Sequence, residues 1–236
     1  MQVTINSGQF YAELDTLASF TDASPPAETR VVLSKVDLAA RAISGSSVAP
    51  RAGSSGKTPS ATCSRVTGSE PGLAAIGTGS HTDAIPHAGP YDGTVGVLGG
   101  LEAIRALQRA GFQPRRSIEL LMFTSEEPTR FGIGCLGSRL LSGSLNPGRA
   151  KTLTDSDVQS LDQVRIAARF TGELDDVLLS RGYYEAFLEL HVEQGPVLEA
   201  RNIPVGVVTA IAAPASLRIW LEGRGTCRHR AHAPAS

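Results

Sequence analysis

Histidine, aspartate and glutamate recur beside glycine or proline in three short stretches: GSHTDAIPHAGPYDG (Gly79–Gly93), FTSEEPTRFG (Phe123–Gly132) and LELHVEQGP (Leu188–Pro196). Each stretch begins where an apolar run ends. Hydrolysis of an unactivated C–N bond needs a polarised carbonyl, an activated water and a base to take its proton. Imidazoles and carboxylates around a metal meet the first two needs, and a spare carboxylate meets the third. On an extended backbone, residues two apart share a face, so Asp83 can reach the ring nitrogen of His81 that points away from a metal. Asp92, in Tyr-Asp-Gly just ahead of a helical pattern, has the ordinary role of an N-terminal cap. Bridging two metals is compatible with that role. Glu126 and Glu127 follow LLMF and precede Pro128. Adjacent carboxylates repel unless solvent or a cation compensates, so one can ligate while the other accepts a proton. His191, between Leu190 and Val192, has Glu189 and Glu193 on its own strand face. His87 is less constrained and is read as a substrate contact, with Gln194 in the third stretch as another.

The elements that must position these groups follow from apolar periodicity. Residues 8–20 read as a helix through Phe10, Leu14, Leu17 and Phe20, and a second helix begins near Ser34. LAAIGTG, SIELLMFT and AFLELHV read as buried strands that lead into the three polar stretches. PVGVVTAIAA (Pro204–Ala213) and SLRIWLEG (Ser216–Gly223) read as further strands. Thr94–Ala110 reads as a strong helix, and Gly96, Gly99 and Gly100 on it predict close packing against a neighbour. Short helices are expected near Gly137–Leu141, Leu174–Ser180 and Pro196–Arg201. Between Ile43 and Val66 the chain is serine-rich without an apolar face, which by composition is loop or disorder. Strands alternating with helices predict an α/β sheet whose ligand site lies at the carboxyl ends of the strands.

Composition excludes other classes. Of 236 residues, 41% are hydrophobic and 19% charged, which permits a packed core. A formal net charge of −1 offers no basic surface for nucleic acid and no polybasic membrane patch. No apolar run reaches the length of a membrane span. Cys63, Cys135 and Cys227 are widely spaced and odd in number, against a disulfide framework or a cysteine zinc site. Cys135 is read as a small packed residue. The glycines from Gly93 to Gly100 miss the GxGxxG spacing, which excludes a nucleotide loop.

The strings GSHTDAIPHAGPYDGTVGVLGGLEAIRAL, FTSEEPTRFGIGCLGSRLL, FLELHVEQGPVLE and VTAIAAPASL resemble the M20 metallopeptidase superfamily. Within it they resemble the amidohydrolases of ureido and carbamoyl compounds, the ureidoglycolate type foremost. The resemblance implies a three-layer α/β sandwich with a mostly parallel sheet. It implies that His81 and His191 bind one metal, Asp92 bridges, Glu127 binds the second, Glu126 is the general base and Asp83 orients His81. Two Mn²⁺ ions are implied, with Zn²⁺ as the alternative, and a small ureido substrate of purine and ureide catabolism that releases ammonia. Allantoate and N-carbamoyl-L-amino-acid hydrolysis are the neighbouring activities, and a catalytically dead binding fragment is the reading from another class. Intact relatives are expected to be homodimers of the endoplasmic reticulum. This N-terminus carries no visible address, which leaves the cytoplasm open.

The same resemblance divides the chain into an incomplete catalytic domain (1–211, with 43–67 anomalous and disordered), the first strand of a missing lid and dimerisation domain (212–223) and an aberrant tail (224–236). Lys57–Arg65 and Thr226–Pro234 depart from the family's runs, yet their codons are compatible with those runs in displaced reading frames. Both stretches are therefore expected to be frame-shift products. His229 and His232 are expected to be unstructured, and the chain alone nearly inactive and not dimeric.

Overall fold

Leu120 and Leu121 are neighbours in the strand β6 (Ile118–Phe123), and they enter two different apolar clusters. Side chains alternate across a strand, so this pair divides the core into two layers around one sheet. The computed structural model describes residues 1–47, 55–57, 61–170 and 172–211, and the chain separates into two units, Met1–Val192 and Glu193–Ser236.

In the first unit, β2 (Ser55–Lys57), β3 (Ala61–Val66), β4 (Ala75–His81), β6 and β7 (Tyr184–Leu188) form a sheet in the order β2-β3-β6-β4-β7. β4 lies between β6 and β7 and runs parallel to both, β3 is antiparallel to β6, and β2 is antiparallel to β3. All strands but β3 therefore point the same way, which is the expected mostly parallel sheet. β1 (Glu28–Arg30) and β5 (Ala84–Ala88) form a separate antiparallel ribbon.

On one face α1 (Ser7–Ala18) packs on α3 (Thr94–Arg109), and Leu14, Leu17, Leu98, Leu101 and Ile104 bury against Leu120. On the other, Leu121 packs with Phe131, Leu136, Leu140, Leu145, Leu161 and Leu174, from α4 (Leu136–Leu141), α6 (Leu161–Ala167) and the segments before, between and after them. The third layer completes the α/β sandwich.

Several elements depart from the sequence reading. The stretch 43–67, expected to be disordered, carries the end of α2 (Lys35–Ser47) and the strands β2 and β3. β3 pairs with β6 over six residues, and such pairing draws on a distant partner that local composition does not reveal. Between the expected short helices near Gly137–Leu141 and Leu174–Ser180 the chain also holds α5 (Pro147–Lys151) and α6, the latter opened by a capping box between Ser160 and Gln163. β7 ends at Leu188, so His191 lies in a loop beyond the strand. In the second unit, α7 (Val197–Ala200) is opened by Glu193, whose carboxylate accepts the Val197 and Leu198 N–H groups. Residues 204–211 form no strand, for lack of a pairing partner among the described residues. The expected strand Ser216–Gly223, Cys227, His229 and His232 lie outside the described residues. Among those described, no helix is long and apolar enough to cross a membrane.

Gly79 shows how closely the central strands approach. Its φ is +141°, and a Cβ there would lie 1.9 Å from the Leu121 carbonyl oxygen. Gly79→Ala is predicted to destabilise the protein by at least about 2 kcal/mol, read as a lower urea midpoint.

Candidate metal centre

β4 delivers His81 as its last residue, buried at the carboxyl end of the sheet. His81 Nδ1 lies 2.9 Å from the backbone carbonyl oxygen of Asp83. A carbonyl only accepts, so Nδ1 carries the proton of the neutral ring and Nε2 presents its lone pair. That Nε2 lies 3.6 Å from Glu126 Oε2 and 3.9 Å from Asp92 Oδ1. His191 is arranged alike: Nδ1 donates to the Val192 carbonyl at 2.7 Å, and Nε2 is 3.2 Å from Asp92 Oδ1. Two imidazoles thus turn their metal-competent nitrogens toward one aspartate. His81, Asp92 and His191 form one group with potential ligand atoms within 4.8 Å of one another, and His81, Glu126 and Glu127 form another.

Asp92 is not a helix cap. The residue at the start of α3 is Gly93, without a side-chain cap, which leaves the Asp92 carboxylate facing the imidazoles. Nor does the Asp83 carboxylate supply the bond that fixes the His81 ring, because the Asp83 carbonyl is nearer; its Oδ1 stays 3.8 Å from Nδ1. The carboxylate instead accepts the N–H groups of Glu126, at 3.3 Å, and Glu127, at 3.0 Å. From the other side, the carbonyls of Thr124, Ser125 and Glu126 accept the N–H groups of Gly137, Leu136 and Cys135. The left-handed Ser125, φ +56°, makes the turn between these anchors.

Burial, and then the Glu126 carboxylate beside it, pushes the Glu127 carboxyl up to about 7. Carboxylates crowded in this way are stabilised by a cation. Gly93, with φ +65°, lets the start of α3 approach the face of the His81 ring, where a Cβ would fall 2.5 Å from Nε2 and 2.6 Å from both Cδ2 and Cε1. The donor set fits a divalent ion.

The loop carrying His191 is held by residues the sequence reading did not single out for this purpose. Glu189 Oε1 accepts the Ser80 hydroxyl at 2.5 Å, tying the loop to β4 next to His81. A Cβ on Gly96 would meet the Leu190 carbonyl at 2.5 Å, and one on Gly99 the Leu190 side chain at 2.8 Å. For Gly96 and Gly99 the predicted close packing is therefore the seat of the His191 loop, whereas Gly100 packs on Leu120 and Thr78. Cys135 is not packed: it is exposed, and its thiol donates to Glu126 Oε1 at 3.2 Å. The reason is the left-handed turn, φ +56°, that places it at the start of α4. His87 lies on β5, exposed, its N–H bonded to Thr29 Oγ1, and belongs to neither potential ligand group. Gln194 belongs to the second unit, with φ +54°.

The model of peptidase family M20/M25/M40 matches residues 77–234. The chain belongs to that family. The match reaches through most of the tail read as aberrant. A ureidoglycolate hydrolase of Oryza sativa subsp. japonica is 50% identical over 228 residues, covering 94% of this chain and 47% of the relative. An N-carbamoyl-L-amino-acid amidohydrolase of Paenarthrobacter aurescens is 39% identical over 66% of this chain and 38% of its own length. The crystal structure of AtUAH in complex with glyoxylate superposes with a TM-score of 0.80 at 42% identity, over 85% of this chain and 49% of that one. This chain thus spans about half the length of the curated ureidoglycolate hydrolases it matches. M20 membership and the His/Asp/Glu groups together point to a metal.

Because Gly93 lets the chain pass against the face of the buried His81 ring, Gly93→Ala is expected to displace that ring. Mn²⁺ is predicted to raise the thermal midpoint of the native chain. In the variant, the metal-free fold is predicted to lose at least about 2 kcal/mol, from the positive φ and from the Cβ pressed on the buried ring, and the Mn²⁺-dependent rise to shrink as His81 is displaced. Calorimetric melts with and without Mn²⁺ check both outcomes.

Proposed function

We propose that this protein is a metal-dependent hydrolase of a linear ureido C–N bond, of the ureidoglycolate type, releasing ammonia. The observation that carries the reading is the gathering of His81, Asp92, His191, Glu126 and Glu127 at one sheet edge. It occurs in a chain 50% identical to a ureidoglycolate hydrolase, against 39% for a carbamoyl-amino-acid amidohydrolase.

In this reading His81, Asp92 and His191 would hold one divalent ion, and Glu127 together with Asp92 would contribute to a second. Mn²⁺ is the ion proposed and Zn²⁺ the alternative; imidazole and carboxylate ligands suit both. When bound, the ions polarise the ureido carbonyl and lower the pKa of a water. Glu126 is the base that takes the proton of the attacking water. Its Oε1 accepts the Cys135 thiol, and its Oε2 faces His81, so Oε2 is the oxygen that receives the proton. The same oxygen returns it to the departing nitrogen, which leaves as ammonia. Asp83 keeps Glu126 in place through the peptide N–H groups, and no step is assigned to His87 or Gln194.

Ammonia release is measured with the Mn²⁺-loaded chain on ureidoglycolate, allantoate and an N-carbamoyl-L-amino acid in parallel. Ureidoglycolate is predicted to be preferred. Glu126→Gln is predicted to lower its rate of hydrolysis by roughly 10²–10⁴-fold without loss of bound Mn²⁺. Preference for either other substrate would replace the ureidoglycolate reading. Bound Mn²⁺ without turnover of any of the three would make the chain a binding protein.

A further inference from the structure

Arg41, on α2, is buried with 2% of its surface exposed, and no step above uses it. Its Nε donates to both oxygens of Asp37, one helical turn earlier, at 3.0 Å. Asp37 is itself buried and fixed by the Leu33 N–H at 2.7 Å. The rest of the guanidinium points at the carboxyl end of β6: Nη2 donates to the Phe123 carbonyl at 3.0 Å, and Nη1 to Thr124 Oγ1 at 3.4 Å. Nη2 also stands 3.9 Å from Asp83 Oδ1.

These contacts exceed what burying one arginine requires. Asp37 alone would neutralise the charge, yet the guanidinium is flanked by a second buried carboxylate, Asp83. That carboxylate holds the Glu126 and Glu127 N–H groups, and Phe123 and Thr124 are the residues from which the Glu126–Glu127 turn departs. Every group on the far side of Arg41 is thus a support of the carboxylate pair. A planar guanidinium can span them from a fixed Asp37, whereas the single ammonium of lysine cannot reach both sides at once.

We infer that Arg41 is a positioning residue: it carries the rigidity of α2 through Phe123, Thr124 and Asp83 to the Glu126–Glu127 turn. The inference rests on the reading above that this pair works at the metal centre. The N-terminal segment, which none of the three polar stretches includes, thereby acts on the site without touching it.

The test compares Arg41→Lys with Arg165→Lys. Arg165 is an equally buried arginine, on α6, bonded to Asp162 and to the Phe170 and Gly172 carbonyls, and it serves as the structural control. Hydrogen exchange is followed at the Glu126 and Glu127 amides of the metal-free chain, and Mn²⁺ affinity by titration calorimetry. Arg41→Lys is predicted to speed exchange at those two amides by at least about tenfold, while Arg165→Lys leaves them unchanged. It is also predicted to weaken Mn²⁺ binding by roughly 10- to 100-fold. Should Arg41→Lys fail to fold, Asp37→Asn, which loosens the guanidinium without removing it, is predicted to act in the same direction. Unchanged exchange at both amides, or an equal effect of Arg165→Lys, overturns the inference. Faster exchange in a chain that binds no Mn²⁺ even in its native form upholds the positioning role and overturns the metal reading instead.

Discussion

Four carboxylates, those of Asp83, Asp92, Glu126 and Glu127, crowd around the single imidazole of His81. Their mutual repulsion is the constraint to which the rest of the site answers. Two unit charges about 4 Å apart interact by ~4 kcal/mol at an effective dielectric near 20, and Glu126 and Glu127 bring potential ligand oxygens within 4.8 Å of each other. The cost is visible in Glu127, whose carboxyl is pushed up to about 7 by burial and by Glu126. A sheet edge that gathers like charges at this cost, while turning two imidazole lone pairs toward them, is arranged around a cation.

Holding such a cluster requires that its backbone be fixed by groups that take no part in ligation. The Glu126–Glu127 turn is gripped from both sides, by the Asp83 carboxylate on its N–H groups and by the start of α4 on its carbonyls. The His191 loop is tied by Glu189 to Ser80 and seated against glycines of α3. Where a side chain would obstruct, the chain carries none: a Cβ on Gly93 would press on the face of the His81 ring. The same economy appears in the sheet, where Gly79 lets β4 and β6 approach.

Much of this was legible in the sequence because it is local. Periodicity revealed α1 and α3, the apolar runs revealed β4 and β6, and the polar residues just past the strands revealed the cluster. What escaped depends on distant partners. β3 lay hidden in a serine-rich stretch because its stability comes from pairing with β6. Asp83 was expected to reach His81 two residues away, yet its carboxylate serves N–H groups more than forty residues on. Arg41 carried no local mark at all, since its role depends on where α2 docks. In contrast, the Ser160–Gln163 capping box that opens α6 is a local signal, a serine followed three residues on by glutamine.

The central claim is that these carboxylates and imidazoles are gathered to hold a divalent ion. Electron paramagnetic resonance tests it most directly, because the spectrum of free Mn²⁺ collapses when the ion is bound. Titrating the native chain and a His81→Ala variant with Mn²⁺ at neutral pH is predicted to show at least one equivalent withdrawn from the free signal by the native chain and none by the variant. A free-ion signal that grows with the first addition to the native chain, as it does in buffer, would contradict the account.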